Sequence, residues 1–74
     1  METLKQAIEL KYIADEVRAE RHRKRVTQEE LSEMSGVGMN TIVSLEKGNG
    51  TTLNNLLRMC ESLNLRIKLE RRNE

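Results

Sequence analysis

A short segment of this sequence, from Gly38 to Glu46, carries side chains suited to contact with the base edges of DNA. If it forms a helix, Ile42 and Leu45 face inward. The outward positions are then Met39, Asn40, Val43 and Ser44. An asparagine amide can make a paired hydrogen bond with adenine, a serine hydroxyl can bond several bases, and valine or methionine can touch a thymine methyl group. The set contains no Arg or Lys, so we expect little guanine recognition. An ordinary polar helix face is the alternative.

The residues before this segment predict another helix and a tight turn. Thr27 and Glu30 have the spacing of a capping box, in which each side chain accepts a hydrogen bond from the other residue's backbone amide. The inward positions of this helix are expected at Leu31 and Met34. Gly36 suits the left-handed residue that ends it. Two short helices joined in this way over residues 27–48 predict a helix-turn-helix DNA-binding unit.

Contacts with the DNA backbone are expected around this unit. Gln28 lies at the start of its first helix, where the helix dipole also favours a phosphate, although a plain surface glutamine is the alternative. The further candidates are Thr41, Lys47, Asn49 with the backbone amides near it, Arg23 and Lys24. For the basic run 23–25, a solvated end of a helix is an equally good interpretation.

The remaining sequence predicts a helix on either side of the unit. Apolar residues recur at near-helical spacing from Thr3 to about Lys24, and a break near residues 10–12 stays open. A helix capped by Thr51 or Thr52 and stopped by Asn64 follows the unit. Its expected apolar stripe is Leu53, Leu56, Leu57, Cys60 and Leu63.

The segment 65–70 alternates strictly between apolar and charged residues, which predicts a strand with one buried face. That face is formed by Leu65, Ile67 and Leu69. The sequence offers this strand no partner, and an unpaired strand edge tends to associate. We therefore expect it to pair with the same strand of a second chain across a two-fold axis, while a disordered or helical tail is the alternative.

The composition sets limits on the class of protein. The chain has 13 basic and 12 acidic residues among 74, so DNA binding has to depend on where the charges lie. Aromatic residues make up only 1% of the chain, so its core is small. Self-association is a usual way to stabilise such a small domain. A single cysteine and a single histidine, Cys60 and His22, do not supply a zinc site. We expect no cofactor, no enzymatic activity, no signal peptide or membrane span, and a cytoplasmic location.

From Val17 to Leu63 the sequence resembles the Cro/lambda-repressor (XRE-type) helix-turn-helix family. The matching pieces are Arg18, Arg21, residues 27–31, Gly36-Val37, residues 40–42 and residues 45–48. The resemblance implies an all-α, lambda-repressor-like domain of four to five helices. It also implies an ion pair between Arg21 and Glu46 that fixes the first helix against the recognition helix. Departures from the family pattern occur at Glu20, Ser32, Gly38 and Gly50.

The C-terminal part of the chain is similar to the HipB-like antitoxin subgroup, on residues 51–53 and on residues 63–65 leading into the strand. This resemblance implies a nucleoid-associated homodimer that represses its own operon at a palindromic operator, with a kinase-type toxin as partner. Residues 1–64 then form the DNA-binding domain, 65–70 the dimerisation strand and 71–74 a frayed tail. The alternative is a protein-interaction module with little intrinsic DNA binding.

Overall fold

The computed structural model describes residues 3–71 and 73 of the chain. Part of the expected frayed tail at 71–74 therefore lies outside the description. Within the described residues the protein is all-α, with four helices and no strand. They are α1 (Leu4–Arg23), α2 (Gln28–Ser35), α3 (Met39–Glu46) and α4 (Leu53–Ser62). The first helix is continuous, so the break considered near residues 10–12 does not occur.

Threonine side chains cap the N-terminal ends of three helices. Thr27 and Glu30 form the predicted capping box at the start of α2, and Thr3 forms a second box with Gln6 at the start of α1. Thr52 caps α4 by accepting a hydrogen bond from the amide of Asn55. Each cap satisfies a backbone donor that has no partner inside its helix. The short α2 and α4 therefore begin at positions that the sequence marks locally.

Left-handed residues close the turns at the ends of all four helices. Arg25 after α1 and Asn64 after α4 have φ of 57°, and Gly48 after α3 has φ of 94°. The amide of the residue that follows each of them bonds to the carbonyl five positions back. This is the Schellman arrangement, which occupies carbonyls at the helix end. Gly36 ends α2 with φ of 73°, as the sequence predicts.

The core lies where α2 packs on α3 and α4 while α1 packs on α3. The buried cluster consists of Val17, Leu31, Val37, Ile42, Leu45, Met59 and Leu63. The predicted inward pair of α3, Ile42 and Leu45, is confirmed by their burial. Each helix of the predicted unit therefore presents a narrow apolar face to one shared core, and the opposite faces stay in solvent.

Three predictions of buried side chains are wrong. Met34 is 54% exposed, because three helical positions turn by about 300° and place it at the rim of the narrow face centred on Leu31. Leu53 and Leu57 are also exposed, and Met59 is fully buried instead. The buried face of α4 is centred on residues 56, 59, 60 and 63, which is rotated from the stripe expected from leucines alone.

The segment 65–70 follows α4 and forms no strand. Leu65 packs against the core, whereas Leu69 is 92% exposed. A strand needs a neighbour to share its backbone hydrogen bonds, and the described part of a single chain offers none. The predicted strand is thus not formed within one chain, and its pairing across a dimer stays a prediction. No described helix has the length and apolar character needed to cross a membrane.

Candidate nucleic-acid interface

The outward face of α3 holds the side chains predicted to contact bases. Met39 and Asn40 are exposed, and Val43 and Ser44 are partly buried. At 100° per residue these four positions span an arc of about 140° on the helix. The inward positions lie in the core and anchor α3 from the other side. The fold therefore presents the four side chains together on one surface.

Gly38 begins α3 without any hydrogen bond from its own side chain, as glycine at this position must. Gly38 lacks the side-chain oxygen of a Ser or Thr cap. The backbone amides at the N-terminal end of α3 therefore stay available to other acceptors. Backbone amides at a helix N-terminus carry partial positive charge and favour an anionic group. Thr41, predicted to contact phosphate, is partly buried in the first turn of this helix.

A buried ion pair fixes α3 to α1. The Arg21 guanidinium donates from Nε to Oε2 of Glu46 at 2.8 Å and from Nη2 to Oε1 at 2.9 Å. The two side chains are only 10% and 4% exposed. Nη1 of Arg21 also donates to the carbonyl of Val26 at 2.9 Å, which ties the loop after α1 into the same cluster. This two-pronged geometry defines the angle between the helices as well as holding them together.

Gln28 and His22 complete this cluster. The Gln28 Nε2 atom donates to Oε1 of Glu46 at 3.2 Å, so α2 is joined to the same carboxylate. A primary amide nitrogen has two protons, and the second stays free for a phosphate. The His22 Nε2 atom lies 3.0 Å from Nη2 of Arg21. Because a guanidinium can only donate, Nε2 accepts and the His22 proton is assigned to Nδ1. The sequence interpretation missed His22, and its position next to Arg21 was the available signal.

Both members of the ion pair stay charged. Burial raises the pKa of Glu46, but the hydrogen bonds donated by Arg21 and Gln28 outweigh it and hold that pKa below its ordinary value. The hydrogen bond to Glu46 raises the pKa of Arg21. The carboxylate thus carries a full negative charge just behind the face of α3 that is proposed to meet DNA, neutralised by the guanidinium.

Two basic residues at the C-terminal end of α1 are paired with other parts of the chain. Nε and Nη2 of Arg23 donate to Glu20 at 3.1 and 2.5 Å. Lys24 Nζ lies 3.3 Å from the Glu20 carboxylate and also donates to the carbonyl of Leu63 at the end of α4. Hydrogen bonding from Arg23 lowers the pKa of Glu20. The contact with Leu63 gives Lys24 a structural role, whereas the side chain of Arg23 stays 70% exposed and its contact with phosphate stays a prediction.

Three of the backbone amides near Asn49 are already engaged within the chain. The amides of residues 47–49 all donate to carbonyls of the last turn of α3, and that of Asn49 bonds to Ser44 at 3.1 Å. The Schellman turn around Gly48 uses these three amides, so a phosphate contact by them is not available. The side chains of Lys47 and Asn49 are exposed and remain the candidates at this end of the helix.

The described residues hold no group of three or more His, Cys, Asp or Glu side chains arranged for a metal ion. Cys60 is buried, and burial raises the pKa of its thiol. A protonated and inaccessible thiol packs as a small apolar side chain. Cys60 therefore contributes to the core.

These features define a small helical DNA-binding domain in which α2 and α3 form a helix-turn-helix. A family model described as Helix-turn-helix matches residues 17–69. The match covers more than half of the chain, and the protein belongs to the Cro/C1-type (XRE) helix-turn-helix family. A comparison with curated proteins gave no match. Membership supports a DNA-binding regulator of the XRE type, with DNA as its partner.

Proposed function

We propose that this protein is a sequence-specific regulator that binds a palindromic operator as a homodimer and represses its own operon. The observation that carries the proposal is the hydrogen-bonded cluster of buried Arg21 and Glu46 with partly buried Gln28, which joins α1, α2 and α3. It supports a recognition helix held at a fixed angle, with Asn40 directed outward. A rigid helix face loses little freedom when it enters a major groove, which favours specific binding.

Base recognition is assigned to Asn40 first, with Ser44 as a second hydrogen-bonding group. Met39 and Val43 supply the apolar contacts expected beside a thymine methyl group. Gln28, through its free amide proton, and the side chains of Lys47 and Asn49 are the candidates for contact with phosphate. This combination favours an operator rich in A·T pairs at the positions below α3.

Dimerisation is assigned to the segment 65–70. Leu65 contacts the core of its own chain, while Leu69 extends 92% exposed beyond it. Pairing with the same segment of a second chain would satisfy its backbone groups and cover Leu69. Two recognition helices would then meet half-sites about 34 Å apart. The resemblance to HipB-like antitoxins supports the dimer and also a kinase-type toxin as a further partner.

A protein-interaction module with little DNA binding of its own is the second candidate. It is favoured by the formal net charge of +1 and by the base-contact face without Arg or Lys. The carboxylate of Glu20 also partly neutralises the positive charge of Arg23 and Lys24. Affinity for DNA would then be low and insensitive to salt, because few counterions are released.

Selection of purified protein from a random DNA library at near-physiological salt tests this function. We expect an enriched inverted repeat, and we expect Asn40→Ala to lose preference at one base position at a cost of about 1–3 kcal/mol. Asn54→Ala, an exposed asparagine on α4, is the matched control and should keep the wild-type site. No enrichment would favour the interaction module, and an unchanged preference in the Asn40 variant would remove that residue from base recognition.

A further inference from the structure

The turn between α2 and α3 contains little that fixes the direction of α3 by itself. It consists of Gly36, Val37 and Gly38, and a glycine backbone adopts more conformations than that of any other residue. Gly38 also begins α3 without a side-chain cap. Within the described part of the chain, neither the amide nor the carbonyl of Val37 bonds to another backbone group. Since Val37 is only 3% exposed, both groups need partners from side chains.

Two serines of α2 supply these partners. Oγ of Ser32 donates to the carbonyl of Val37 at 2.6 Å. The amide of Val37 donates to Oγ of Ser35 at 3.1 Å, and the same hydroxyl donates to the carbonyl of Leu31 at 2.7 Å. We call Ser32, Ser35 and the backbone of Val37 the serine clamp. Because the side chain of Val37 packs in the core, this residue is held at its amide, its carbonyl and its side chain.

We propose that Ser32 and Ser35 are positioning residues that set the direction in which α3 leaves the turn, an inference that rests on the proposed role of α3 in DNA recognition. The carbonyl of Val37 and the amide of Gly38 belong to one planar peptide unit. The hydrogen bond from Ser32 therefore fixes the orientation of the unit that leads directly into α3. Asn40 follows two residues after Gly38, so a rotation of this unit would move the first base-contact side chains.

The serine clamp and the buried ion pair hold opposite ends of α3. Glu46 is the last residue of the helix, and its bonds to Arg21 and Gln28 fix the C-terminal end. The serine clamp fixes the N-terminal end, which carries Met39 and Asn40. The N-terminal residues of a recognition helix are the ones that contact base edges. A binding surface has to be held within about 10–20° of its productive geometry, and the clamp supplies this constraint where Gly38 supplies none.

Amide hydrogen exchange of the free protein tests the clamp without DNA. The amides of Thr41 and Ile42 both bond to the carbonyl of Gly38, so they report on the first turn of α3. In Ser32→Ala we expect both to exchange about three- to tenfold faster relative to the amide of Leu56 in α4, since one hydrogen bond changes a local opening equilibrium by about that factor. Taking the ratio to α4 cancels a global loss of stability. An unchanged ratio would overturn the proposal.

Ser62→Ala is the matched control for this change. The Ser62 hydroxyl donates to the carbonyl of Arg58 at 3.0 Å, so the variant removes a serine hydrogen bond of the same kind from α4. It should leave the exchange of the first turn of α3 as in wild type. A similar acceleration in this control would show that the amides respond to any loss of a serine bond, and it would contradict the clamp.

Binding to the operator that the wild type selects separates positioning from stability. Ser32→Ala and Ser35→Ala should each bind it about three- to tenfold more weakly and should discriminate less between operator and unrelated DNA of equal length. Ser62→Ala should bind as wild type, and urea unfolding verifies that all variants are folded in the assay. Faster exchange in Ser32→Ala with unchanged discrimination would overturn the role in recognition. A wild type that selects no operator would instead refute the proposed function, while the exchange ratio still decides whether the serines position α3.

A cap introduced at position 38 tests whether the clamp replaces one. Gly38 has φ of −64° and ψ of 148°, and nothing lies within 4 Å of an added Cβ, so a serine fits there. Gly38→Ser gives α3 a side-chain cap of its own. It should restore exchange protection and discrimination to Ser32→Ala, and it should change the wild type much less, because the clamp already fixes the first turn. Equal gains in the two backgrounds would show that the groups act independently and would contradict the proposal.

Discussion

The carboxylate of Glu46 is the residue on which the positions of three helices depend. It accepts two hydrogen bonds from Arg21 on α1 and one from Gln28 on α2. Val43 and Ser44, three and two positions earlier on α3, belong to the proposed base-contact face. A change at this carboxylate should therefore affect both the stability of the domain and the orientation of its recognition helix.

Removing one member of the buried pair is expected to be severe. Arg21→Met leaves the Glu46 charge buried without its partner, which typically costs about 3–5 kcal/mol. A domain of this size has a comparable total stability, so we expect this variant to be largely unfolded in urea titrations. The double variant Arg21→Met with Glu46→Leu removes both charges and should regain most of the loss. A double variant as unstable as the sum of the two single changes would show that the groups are not coupled.

The same carboxylate gives a pH dependence with a defined sign. Burial raises the pKa of Glu46 and the hydrogen bonds from Arg21 and Gln28 lower it by more, so its value in the folded chain lies below the ordinary 4.5. Its contribution to stability is complete above the unfolded value and is lost as the pH falls through the lower folded value. Urea unfolding from pH 7 downward should show this loss in the wild type. Glu46→Gln should show a shallower decline, and an identical decline would assign the effect to other carboxyl groups, such as Glu30.

At the scale of elements, the turn after α3 depends on glycine for its backbone conformation. Gly48 has φ of 94° and lies beside Lys11, whose Cα would be 4.0 Å from an added Cβ. That distance leaves room for a methyl group, so the cost of Gly48→Ala is mainly the strained φ, about 1–2 kcal/mol. Gly50→Ala adds a methyl group at ordinary φ and is the matched control. Equal stability of the two alanine variants in urea unfolding would exclude the conformational explanation.

The ends of the elements could be predicted from sequence better than their buried faces. Thr27 with Glu30, Gly36 and Asn64 act through bonds to residues a few positions away, and the structure has the expected caps and turns. Burial of Met59 in place of Leu57 depends on how α4 is rotated against α2, which no local pattern specifies. Arg25 in a left-handed conformation was likewise not predictable, because nothing in its side chain favours φ of 57°.

At the candidate site, too, local features could be predicted from the sequence and contacts between distant residues could not. The outward position of Asn40 follows from helical spacing once Ile42 and Leu45 are taken as buried. The engagement of Lys24 with the carbonyl of Leu63 joins residues 39 positions apart in sequence, and only the packed chain brings them together. The sequence alone therefore does not show which basic side chains already have partners within the chain.

At the scale of the whole molecule, the exposed end of the chain permits a clean test of the dimer. Leu69 is 92% exposed, so Leu69→Lys should not disturb the fold of one chain. If residues 65–70 pair across a two-fold axis, this variant should be monomeric in size-exclusion chromatography and should bind operator DNA much more weakly. Glu70→Lys, which changes charge without removing apolar surface, is the control. A dimeric Leu69 variant would place the interface elsewhere.

The position of Tyr12 has a practical consequence for spectroscopy. It is the only aromatic side chain in the chain, and it lies 62% exposed on α1 rather than in the core. Tyrosine fluorescence should then respond only weakly to unfolding of the core, and thermal scans that depend on it should show little unfolding transition. The same ring becomes a built-in reporter of whatever approaches α1, without any dye or label. Its quantum yield and anisotropy should change when that side of the helix is occupied.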